Sequence, residues 1–418
     1  MLNKDGVREL CYVVTIDEIR PIPGRDRVEC AVVGGWTIMV RKDQFKPGDP
    51  GIYFEIDSKV PEKEPFEFLA PKHYKIKTQK YKTPEGQFWS QGLLMSAEDF
   101  GWGKTKNEDF VNNIIKVGIY NFEKQEYYFT DDESRFLTAK LDVTYADAED
   151  NKRKARSADK YKLMTQRNSK LFSHQPFCWL MRRTWGKKLL FLFFGRKRDK
   201  RSSWPAWVQK TDEERVQNMP WILNDKSPWI ATEKIDGTST TFTMKRKPLG
   251  KYDFYVCSRN VCFDKPDKKC FYDTNVYTEM AEKYDIENKM ARMLFASDRF
   301  ANCEWITIQG ETYGKGVQNR DYSTDEHAFM AFNLVTSEHG RFNTIDMQEI
   351  LERTRGIPCV PILNRYFILP DTVEELLEKA TGYSKLDGKM REGIVFRSPD
   401  GVRSFKAVSN EYLEKYHQ

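Results

Sequence analysis

The sequence predicts an α+β protein in which a small N-terminal β-barrel of the OB type precedes a larger domain of mixed strands and helices. In the first hundred residues, turn signals such as Pro23-Gly24 and Gly34-Gly35 separate short strand-like runs at 10–16, 28–33, 36–40 and 51–56. Short strands at this spacing are typical of a small barrel. From Trp204 onward, strand-like runs are mixed with helical patterns, which indicates a second type of domain.

Length, charge and cysteine content narrow the class of protein. The 418 residues are enough for two or three domains with apolar cores, and the net charge of +6 is mildly basic. The eight cysteines form no C-x-x-C pair, which favours reduced thiols over a disulfide framework or a zinc site. The N-terminus lacks the apolar segment of a signal peptide. We therefore expect a cytoplasmic or nucleocytoplasmic protein that is not secreted.

Changes in composition divide the chain into three parts. Residues 1–130 form the OB-like domain, and basic residues alternate with aromatic ones in 72–82, which suits RNA binding as well as it suits a solvated strand. Residues 131–203 form a charged linker, in which lysines and arginines interrupt the apolar run 177–194. This basic amphipathic insert could contact RNA, a membrane surface or the rest of the protein, and we favour a packed insert. Residues 204–418 form the second domain.

The most informative stretch is Lys234-Ile235-Asp236-Gly237. The β-prone residues on both sides predict a strand, a tight turn and a second strand. A lysine in such a turn can lie at the mouth of a pocket, and the glycine lets the backbone come close to a phosphate. Lysine becomes a usable nucleophile when its pKa falls through desolvation or a nearby cation. Alone, the motif is equally compatible with an ordinary hairpin.

Chemically suitable residues flank this motif on both sides. Upstream, Thr211 and Glu214 form a capping-box pattern that predicts a helix, and we expect Arg215 to face a nucleotide pocket. Downstream, the candidates stand in or at the ends of strand-like runs: Arg259, Glu311, the aromatic pair Phe329 and Phe332, Glu392, and Lys406. Each of these is individually more often a plain strand or core residue. The order in which they follow K-x-D-G is a much more specific signal than any one of these residues alone.

In this order the motifs resemble the covalent nucleotidyltransferases, which comprise RNA ligases, DNA ligases and mRNA capping enzymes. The resemblance is strongest to ATP-dependent RNA ligases with an N-terminal OB domain, and it covers nearly the whole chain except 160–203. It implies that 204–418 form a nucleotidyltransferase (adenylylation) domain of ATP-grasp-like antiparallel sheets and helices. It also implies that the protein joins RNA 3′-OH and 5′-phosphate ends through lysyl-AMP and RNA-adenylylate intermediates, in RNA repair or sealing.

The resemblance implies a role for each candidate residue. Lys234 would attack the α-phosphorus of ATP and carry AMP. Glu392 would hold Mg²⁺ or Mn²⁺, and Asp236 would orient the lysine or act through a metal-bound water. The remaining residues would bind the nucleotide: Glu233 and Ile235 beside the lysine, Arg215, Arg259 at phosphate, Glu311 at the ribose hydroxyls, Phe329 stacked on adenine, and Lys406 at the α-phosphate.

One position departs from the family pattern. The last motif usually has two lysines spaced by one residue, whereas Ser404 here occupies the first of these places. Arg403 is the candidate to supply the second phosphate contact.

The order of the domains favours an RNA ligase over its relatives. DNA ligases and capping enzymes carry an OB domain after the last motif, but only twelve residues follow Lys406. The alternatives are a DNA ligase or capping-type enzyme, or a catalytically silent RNA-binding protein, which predicts lost catalytic residues. We expect ATP and a divalent metal as cofactors. The expected partner is RNA with broken or nicked ends, including RNA–DNA hybrids, and we expect a monomer without a transmembrane segment.

Overall fold

The computed structural model describes residues 1–3, 7–96, 98–100, 119–121, 126–128, 135–146, 174–194, 204–259, 261–263, 275–318, 320 and 322–416. They form an N-terminal β domain, a helical hairpin and a C-terminal domain of two antiparallel sheets with helices. Each helix among these residues is too short or too polar to span a bilayer. The predicted charged helix or linker around 146–156 lies mostly outside the described residues.

Short strands build the N-terminal domain, as the sequence predicts. They are β1 Cys11–Thr15, β2 Glu18–Ile22, β3 Arg25–Val33, β4 Trp36–Arg41, β5 Pro50–Phe54, β6 Ser58–Lys59, β7 Lys75–Ile76, β8 Thr78–Thr83, β9 Gly86–Gln91, β10 Leu93–Met95, β11 Ile119–Asn121, β12 Glu126–Tyr128 and β13 Thr144–Tyr145. Their sheets have the orders β1-β5-β10, β2-β3-β4 and β13-β6-β7, with two separate hairpins, β8-β9 and β11-β12.

Alternation along β1 and β5 gives the N-terminal domain two cores. Cys11 and Phe54 point into one cluster of buried side chains, whereas Tyr12 and Tyr53 point into the other. Successive side chains of a strand face opposite sides of its sheet, so each apolar run can fill both cores. A 3₁₀ helix, Glu67–Lys72, covers the first core.

The N-terminal domain extends further along the chain than predicted. β13 pairs with β6, and Leu137 and Val143 are buried in the first core. The predicted boundary at residue 130 is therefore too early, and residues 135–146 pack with the N-terminal domain. Hydrophobic periodicity could not predict this, because the segment contributes isolated apolar residues rather than a long strand.

The C-terminal domain consists of two antiparallel sheets. Its strands are β14 Trp229–Lys234, β15 Thr238–Arg246, β16 Tyr252–Ser258, β17 Cys262–Phe263, β18 Trp305–Gly314, β19 His327–Thr336, β20 Gly340–Arg341, β21 Ile362–Phe367, β22 Gly393–Arg397 and β23 Ser404–Val408. One sheet has six strands in the order β17-β16-β15-β18-β19-β20, and the other has four in the order β21-β14-β22-β23.

The described residues include seven α-helices. They are α1 Gln175–Met181 and α2 Thr184–Phe194, which form the helical hairpin, then α3 Val276–Lys283, α4 Ile286–Ala296, α5 Thr344–Gln348 with a π-helical continuation Glu349–Thr354, α6 Val373–Ala380 and α7 Asn410–Tyr416. Helices α3 and α4 bury Met280 and Met290 against the six-stranded sheet, and α6 buries Leu376 against the four-stranded sheet. Short 3₁₀ turns lie at Glu98–Phe100, Val216–Asn218, Pro220–Asn224, Pro248–Gly250 and Asp298–Phe300.

The turn between β14 and β15 carries the chain from one sheet to the other, as the strand–turn–strand prediction requires. β14 ends at Lys234 and β15 begins at Thr238. A Cβ atom on Gly237 would lie 2.3 Å from the Thr312 carbonyl oxygen, so only glycine fits between this turn and β18.

Candidate active site

Lys234 pairs with Glu392 across the four-stranded sheet. The Lys234 Nζ donates to Glu392 Oε2 at 2.7 Å, and Glu392 is buried. The two residues meet because β14 pairs with β22 in a register that sets Lys234 opposite Gly393, directly after the glutamate. A lysine at a strand end and a carboxylate 158 positions later are therefore brought into direct contact.

Two further carboxylates add negative charge around this lysine. Burial by itself would lower the pKa of Lys234, but Glu392 and Glu311, with a weaker contribution from Asp236, raise it above its ordinary value. Burial, together with the negative charges of Glu392 and Asp236, raises the pKa of Glu311 to about 8, although the charge of Lys234 acts in the opposite direction. With its pKa raised in this way, Lys234 is an ammonium ion, and it must lose a proton before it can act as a nucleophile.

Asp236 is held by two tyrosines. Its backbone N–H donates to the Tyr322 hydroxyl oxygen at 2.7 Å, and the Tyr412 hydroxyl donates to its Oδ2 at 2.7 Å. Tyr412 is completely buried on α7, the helix that follows β23. The aspartate two residues after the lysine is thus fixed from both its main chain and its side chain.

A second cluster joins the two residues predicted to bind phosphate. Asp212 accepts from Lys406 Nζ at 2.7 Å through Oδ1 and from Arg259 Nη2 at 2.6 Å through Oδ2. Although burial opposes ionisation of Asp212, Lys406 and Arg259 hold its pKa far below its ordinary value. Burial lowers the pKa of Lys406, and Lys234 is one of the charges that act in the same direction. The two clusters are therefore neighbours, and a carboxylate lies between two cations that suit phosphate oxygens.

Arg215 borders this cluster, but the segment that carries it is not the predicted helix. Residues 210–214 form neither helix nor strand and only Val216–Asn218 form a 3₁₀ turn, so the helix prediction from the capping-box pattern is wrong. The Lys406 N–H donates instead to the Glu214 carbonyl oxygen at 2.7 Å. This hydrogen bond is part of a parallel β-bridge that fixes Arg215 beside Lys406 on β23. A local sequence pattern could not reveal such a long-range contact.

The N-terminal domain contacts the same segment. Arg215 Nη2 donates to Asp57 Oδ2 at 3.2 Å, and Asn218 Nδ2 donates to Glu55 Oε1 at 3.2 Å. Val408 and Leu413 of the C-terminal domain also belong to the second core of the N-terminal domain. The two domains therefore share packed and polar contacts next to Lys406.

The residues on each side of Lys234 are buried in different ways. The Glu233 carboxylate accepts from the Lys385 N–H at 2.8 Å, and the Glu233 N–H donates to the Pro361 carbonyl oxygen at 2.9 Å. Ile235 belongs to a small buried cluster with Tyr322 and Val360. Both residues lie close to the lysine, but each already has contacts within the protein.

Phe329 does not face this site. Its side chain is completely buried against Phe242, with ring centroids 5.1 Å apart, in the core between α3, α4 and the six-stranded sheet. The prediction that Phe329 stacks on adenine therefore conflicts with the structure, since neither face of its ring is free. Phe332 packs instead on the cluster that contains Ile235, and it is only partly buried.

Arg403 also lies on the wrong face for its suggested role. It pairs with Asp225 at 2.7 Å and lies over the ring of Trp229, which packs against Phe405. Lys406 and Ser404 occupy the opposite face of β23, because side chains alternate along a strand. Arg403 therefore does not replace the missing lysine.

A different arginine lies next to Ser404. Arg397 on β22 is paired with Ser404 in register, and its Nη2 donates to Glu213 at 3.1 Å. The Ser404 hydroxyl donates to the same carboxylate. Arg397 Nε and Nη1 are buried without a hydrogen-bond partner. Such an arginine has donors left for an anion.

Several residues of this site were not found from the sequence. Contacts between distant parts of the chain bring five such residues to the site, although their surroundings in the sequence are ordinary: Asp212, Glu213, Tyr322, Arg397 and Tyr412. Asp212 and Glu213 lie in 210–215, where the capping-box pattern predicts a helix and indicates no role for either carboxylate.

The donor set around Lys234 fits a hard divalent cation. Glu392, Glu311 and Asp236 offer carboxylate oxygens, the ligands that Mg²⁺ and Mn²⁺ prefer. Burial and the repulsion from Glu392 and Asp236 together raise the pKa of Glu311, and a bound cation would relieve that repulsion.

Comparison with known proteins gives matches to both domains. Residues 227–408 match a family model described as RNA ligase, and residues 10–96 match one described as an OB-fold domain. Among curated proteins, none matches the sequence significantly.

Solved structures match nearly the whole chain. Naegleria gruberi RNA ligase with pyrophosphate is 26% identical and has a TM-score of 0.66, with 98% of this chain and 99% of that chain covered. A point variant of the same ligase with ATP and manganese is 25% identical, with a TM-score of 0.65 and 99% of both chains covered. Another variant, with AMP and manganese, is 25% identical, with a TM-score of 0.63 and 98% and 99% covered. These matches confirm the predicted fold class.

Proposed function

We propose, from the RNA ligase domain and the OB-fold domain that this chain combines, that it is an ATP-dependent RNA ligase that joins 3′-OH and 5′-phosphate ends. The solved ligase with ATP and manganese supports ATP and a divalent metal as its cofactors. The observation that carries the proposal is the convergence of Lys234, Glu392, Lys406 and Arg259, which lie in or next to four different strands, in two adjoining clusters.

In the first step, Lys234 Nζ attacks the α-phosphorus of ATP. The new N–P bond forms as the bond from the α-phosphorus to the bridging oxygen breaks, and pyrophosphate leaves. Glu392, 2.7 Å from Nζ, is positioned to orient the lysine and to accept its proton. The tyrosine-held Asp236 keeps the turn in place during this step.

The phosphate groups are bound by the cations around Asp212. Lys406 and Arg259 exchange the Asp212 carboxylate for nucleotide phosphate oxygens, and Arg215 and the unpartnered donors of Arg397 lie beside them. Fixed positive charge of this kind stabilises the negative charge that develops at a phosphoryl group in the transition state. We assign Arg397, rather than Arg403, to the phosphate contact that the family supplies with a second lysine.

A divalent metal fits the carboxylates of Glu392, Glu311 and Asp236. When bound, it supplies positive charge that lowers the pKa of the neighbouring lysine and balances the charge of the phosphates.

Two further transfers complete the reaction. A 5′-phosphate oxygen of RNA attacks the phosphorus of lysyl-AMP, which returns Lys234 to its free form and leaves AMP linked to the RNA end. The 3′-OH of the other strand then attacks the 5′-phosphorus, AMP leaves, and a phosphodiester bond joins the two ends. The substrate is RNA with a break or nick, including a nick in an RNA–DNA hybrid, and the ligase acts as a monomer.

The β8–β9 hairpin of the OB domain is the proposed RNA contact within the basic-aromatic run. Lys80 lies over the ring of Trp89 at 5.1 Å, and Tyr81 lies 6.4 Å from Phe88. Lys80 and Lys82 are exposed and their cations can reach phosphates, while the half-buried rings offer surfaces for bases.

A strand-joining assay tests the proposed function. We expect the purified protein, with ATP and Mg²⁺ or Mn²⁺, to seal a nick between an RNA 3′-OH and a 5′-phosphate, and to fail without the 5′-phosphate. Sealing of an all-DNA nick at the same rate would favour the DNA ligase alternative. A folded protein that binds RNA but joins no substrate would favour the catalytically silent one.

The two phenylalanines of β19 give a matched pair of variants. We assign the adenine contact to Phe332, whose partly buried ring packs on the cluster that contains Ile235. Phe332→Ala is then expected to raise the KM for ATP in adduct formation by about tenfold or more with little change in Tm, since aromatic stacking on a base contributes about 1–3 kcal/mol. Phe329→Ala should mainly lower Tm, because it empties a core position at a cost of about 3–5 kcal/mol. A raised KM in Phe329→Ala alone, with Phe332→Ala unchanged, would restore Phe329 to the adenine site.

A further inference from the structure

The helical hairpin between the two domains has no role in the proposed chemistry. Its helices α1 and α2 pack closely, because a Cβ atom on Gly186 would lie 2.2 Å from the Leu180 carbonyl oxygen. Leu190 is buried. The hairpin is therefore a compact element, and most of its other described side chains form a surface.

Two tryptophans dominate that surface. Trp179 is 50% exposed and Trp185 is 53% exposed, and their rings meet edge to face with centroids 6.1 Å apart. The Arg183 guanidinium lies over the Trp179 ring at 4.2 Å from its centroid. Large rings held at this exposure offer flat surfaces to a planar ligand, and the stacked arginine extends one of them.

The charge of the hairpin is entirely positive. Residues 174–194 contain Arg182, Arg183, Lys187 and Lys188 and no aspartate or glutamate. Over the wider stretch 160–198 there are eleven lysines and arginines and again no acidic residue. Since the chain as a whole carries only six more basic than acidic residues, this segment concentrates positive charge.

We propose that the helical hairpin 174–194 is a second RNA-binding surface, which holds unpaired nucleotides of the RNA substrate. Bases stack on Trp179 and Trp185, and Arg182, Arg183 and Lys188 pair with the phosphates on either side. Alternation of rings and cations is the arrangement that binds single-stranded nucleic acid without strong sequence preference. The proposal rests on the proposed RNA ligase function and adds the surface that holds the strand.

A lipid surface fits the described side chains less well. In 174–190, the exposed large apolar side chains are Trp179, Trp185 and Leu189. The two tryptophan rings touch, but the Arg183 guanidinium lies over the Trp179 ring and Arg182 is also exposed. A cation therefore lies within this aromatic surface, unlike the purely apolar face with which an interfacial helix enters a membrane.

The test measures RNA affinity of the full-length protein without ATP. A labelled single-stranded RNA of about 24 nucleotides is titrated by fluorescence anisotropy at two salt concentrations. Trp179→Ala with Trp185→Ala should weaken binding at least tenfold. Arg182→Glu with Arg183→Glu should weaken it and reduce the slope of log K against log salt by about 1.4, at about 0.7 per lost phosphate contact. Trp221→Ala, which removes an exposed tryptophan elsewhere, is the matched control and should bind as the unaltered protein does.

Self-adenylylation of the same variants separates this proposal from the proposed function. Normal adduct formation with weakened RNA binding in the variants supports the hairpin proposal. If the unaltered protein itself forms no adduct, the result contradicts the proposed ligase function instead. Unchanged RNA affinity in both double variants overturns the hairpin proposal. The proposal is also overturned if the double variants lose binding to phosphatidylglycerol vesicles but keep their RNA affinity, a result that would assign the hairpin to a membrane surface. Should one double variant fail to fold, the other still decides.

Discussion

Lys234→Ala is expected to abolish the covalent adduct between the protein and AMP. Lys234 is the proposed nucleophile, so its loss removes the nitrogen that forms the N–P bond. Lys234→Arg should be equally inactive, because a guanidinium stays protonated at any usable pH and cannot attack phosphorus. The measurement is incubation with α-labelled ATP and Mg²⁺ or Mn²⁺, followed by denaturing electrophoresis, with a loss of label of at least a thousandfold.

Lys226→Ala is the control for this pair. Lys226 lies near the start of β14 and contacts the carbonyl oxygens of Leu369 and Pro370, away from both charged clusters. It should keep the adduct at the level of the unaltered protein. Label that persists on folded Lys234→Ala protein would show that another residue is the nucleophile.

Glu392→Ala is expected to reduce the rate of adduct formation by about a hundredfold or more. It removes both the partner of Lys234 and a proposed metal ligand, and loss of one preorganised group at a reacting centre typically has this effect. Lys406→Ala should have an effect of similar size through the phosphates. Single-turnover rates of adenylylation at saturating ATP and metal measure both.

Glu326→Ala is the matched control for the carboxylate. Glu326 is exposed and pairs with Lys283, so its loss should leave the rate unchanged. Near-normal rates in both Glu392→Ala and Lys406→Ala would contradict the assignment of these strands to the site. If a high metal concentration restores the rate of adduct formation in Glu392→Ala, the main role of Glu392 is in metal binding.

Local sequence patterns predicted the larger elements of the fold well. The short strands of the N-terminal domain and the β14–turn–β15 unit have strong local signals, namely β-prone runs bounded by glycine and proline. The helix predicted at Thr211 is absent because its backbone groups bond to β23 and its Glu214 side chain to Asn218 and Leu2. Tertiary contacts thus overrode a valid local signal.

The resemblance named charged residues that the structure brings together, but not the aromatic side chain that faces them. Lys234 with Glu392, and Lys406 with Arg259, lie in the same two clusters because each ends or occupies a strand whose register is set by the sheets. The resemblance implies Phe329 for the adenine contact, but Phe332 on the same strand is the aromatic residue that packs beside Ile235. A β-bulge between Gln309 and Gly310 shifts the pairing register at this point of the strand. A strand's facing depends on such register details, which one sequence does not reveal.

Contacts between the domains were also beyond local patterns. Asp57 and Glu55 reach Arg215 and Asn218 across more than 150 positions of sequence. Their own surroundings, a turn after β5, carry no signal of a partner. The same holds for Tyr412, whose hydroxyl reaches Asp236 from the C-terminal helix.

A chase of isolated adduct tests the central claim most directly. The protein is labelled with α-labelled ATP and freed of nucleotide. One portion is digested and mapped by peptide mass spectrometry, and the other is mixed, without ATP, with nicked RNA that carries a 5′-phosphate. We predict that the label lies on Lys234 and that it leaves the protein as the RNA strands are joined, with one AMP released per bond formed. Label on a different residue, or an adduct on Lys234 that RNA ends cannot discharge, would contradict the account.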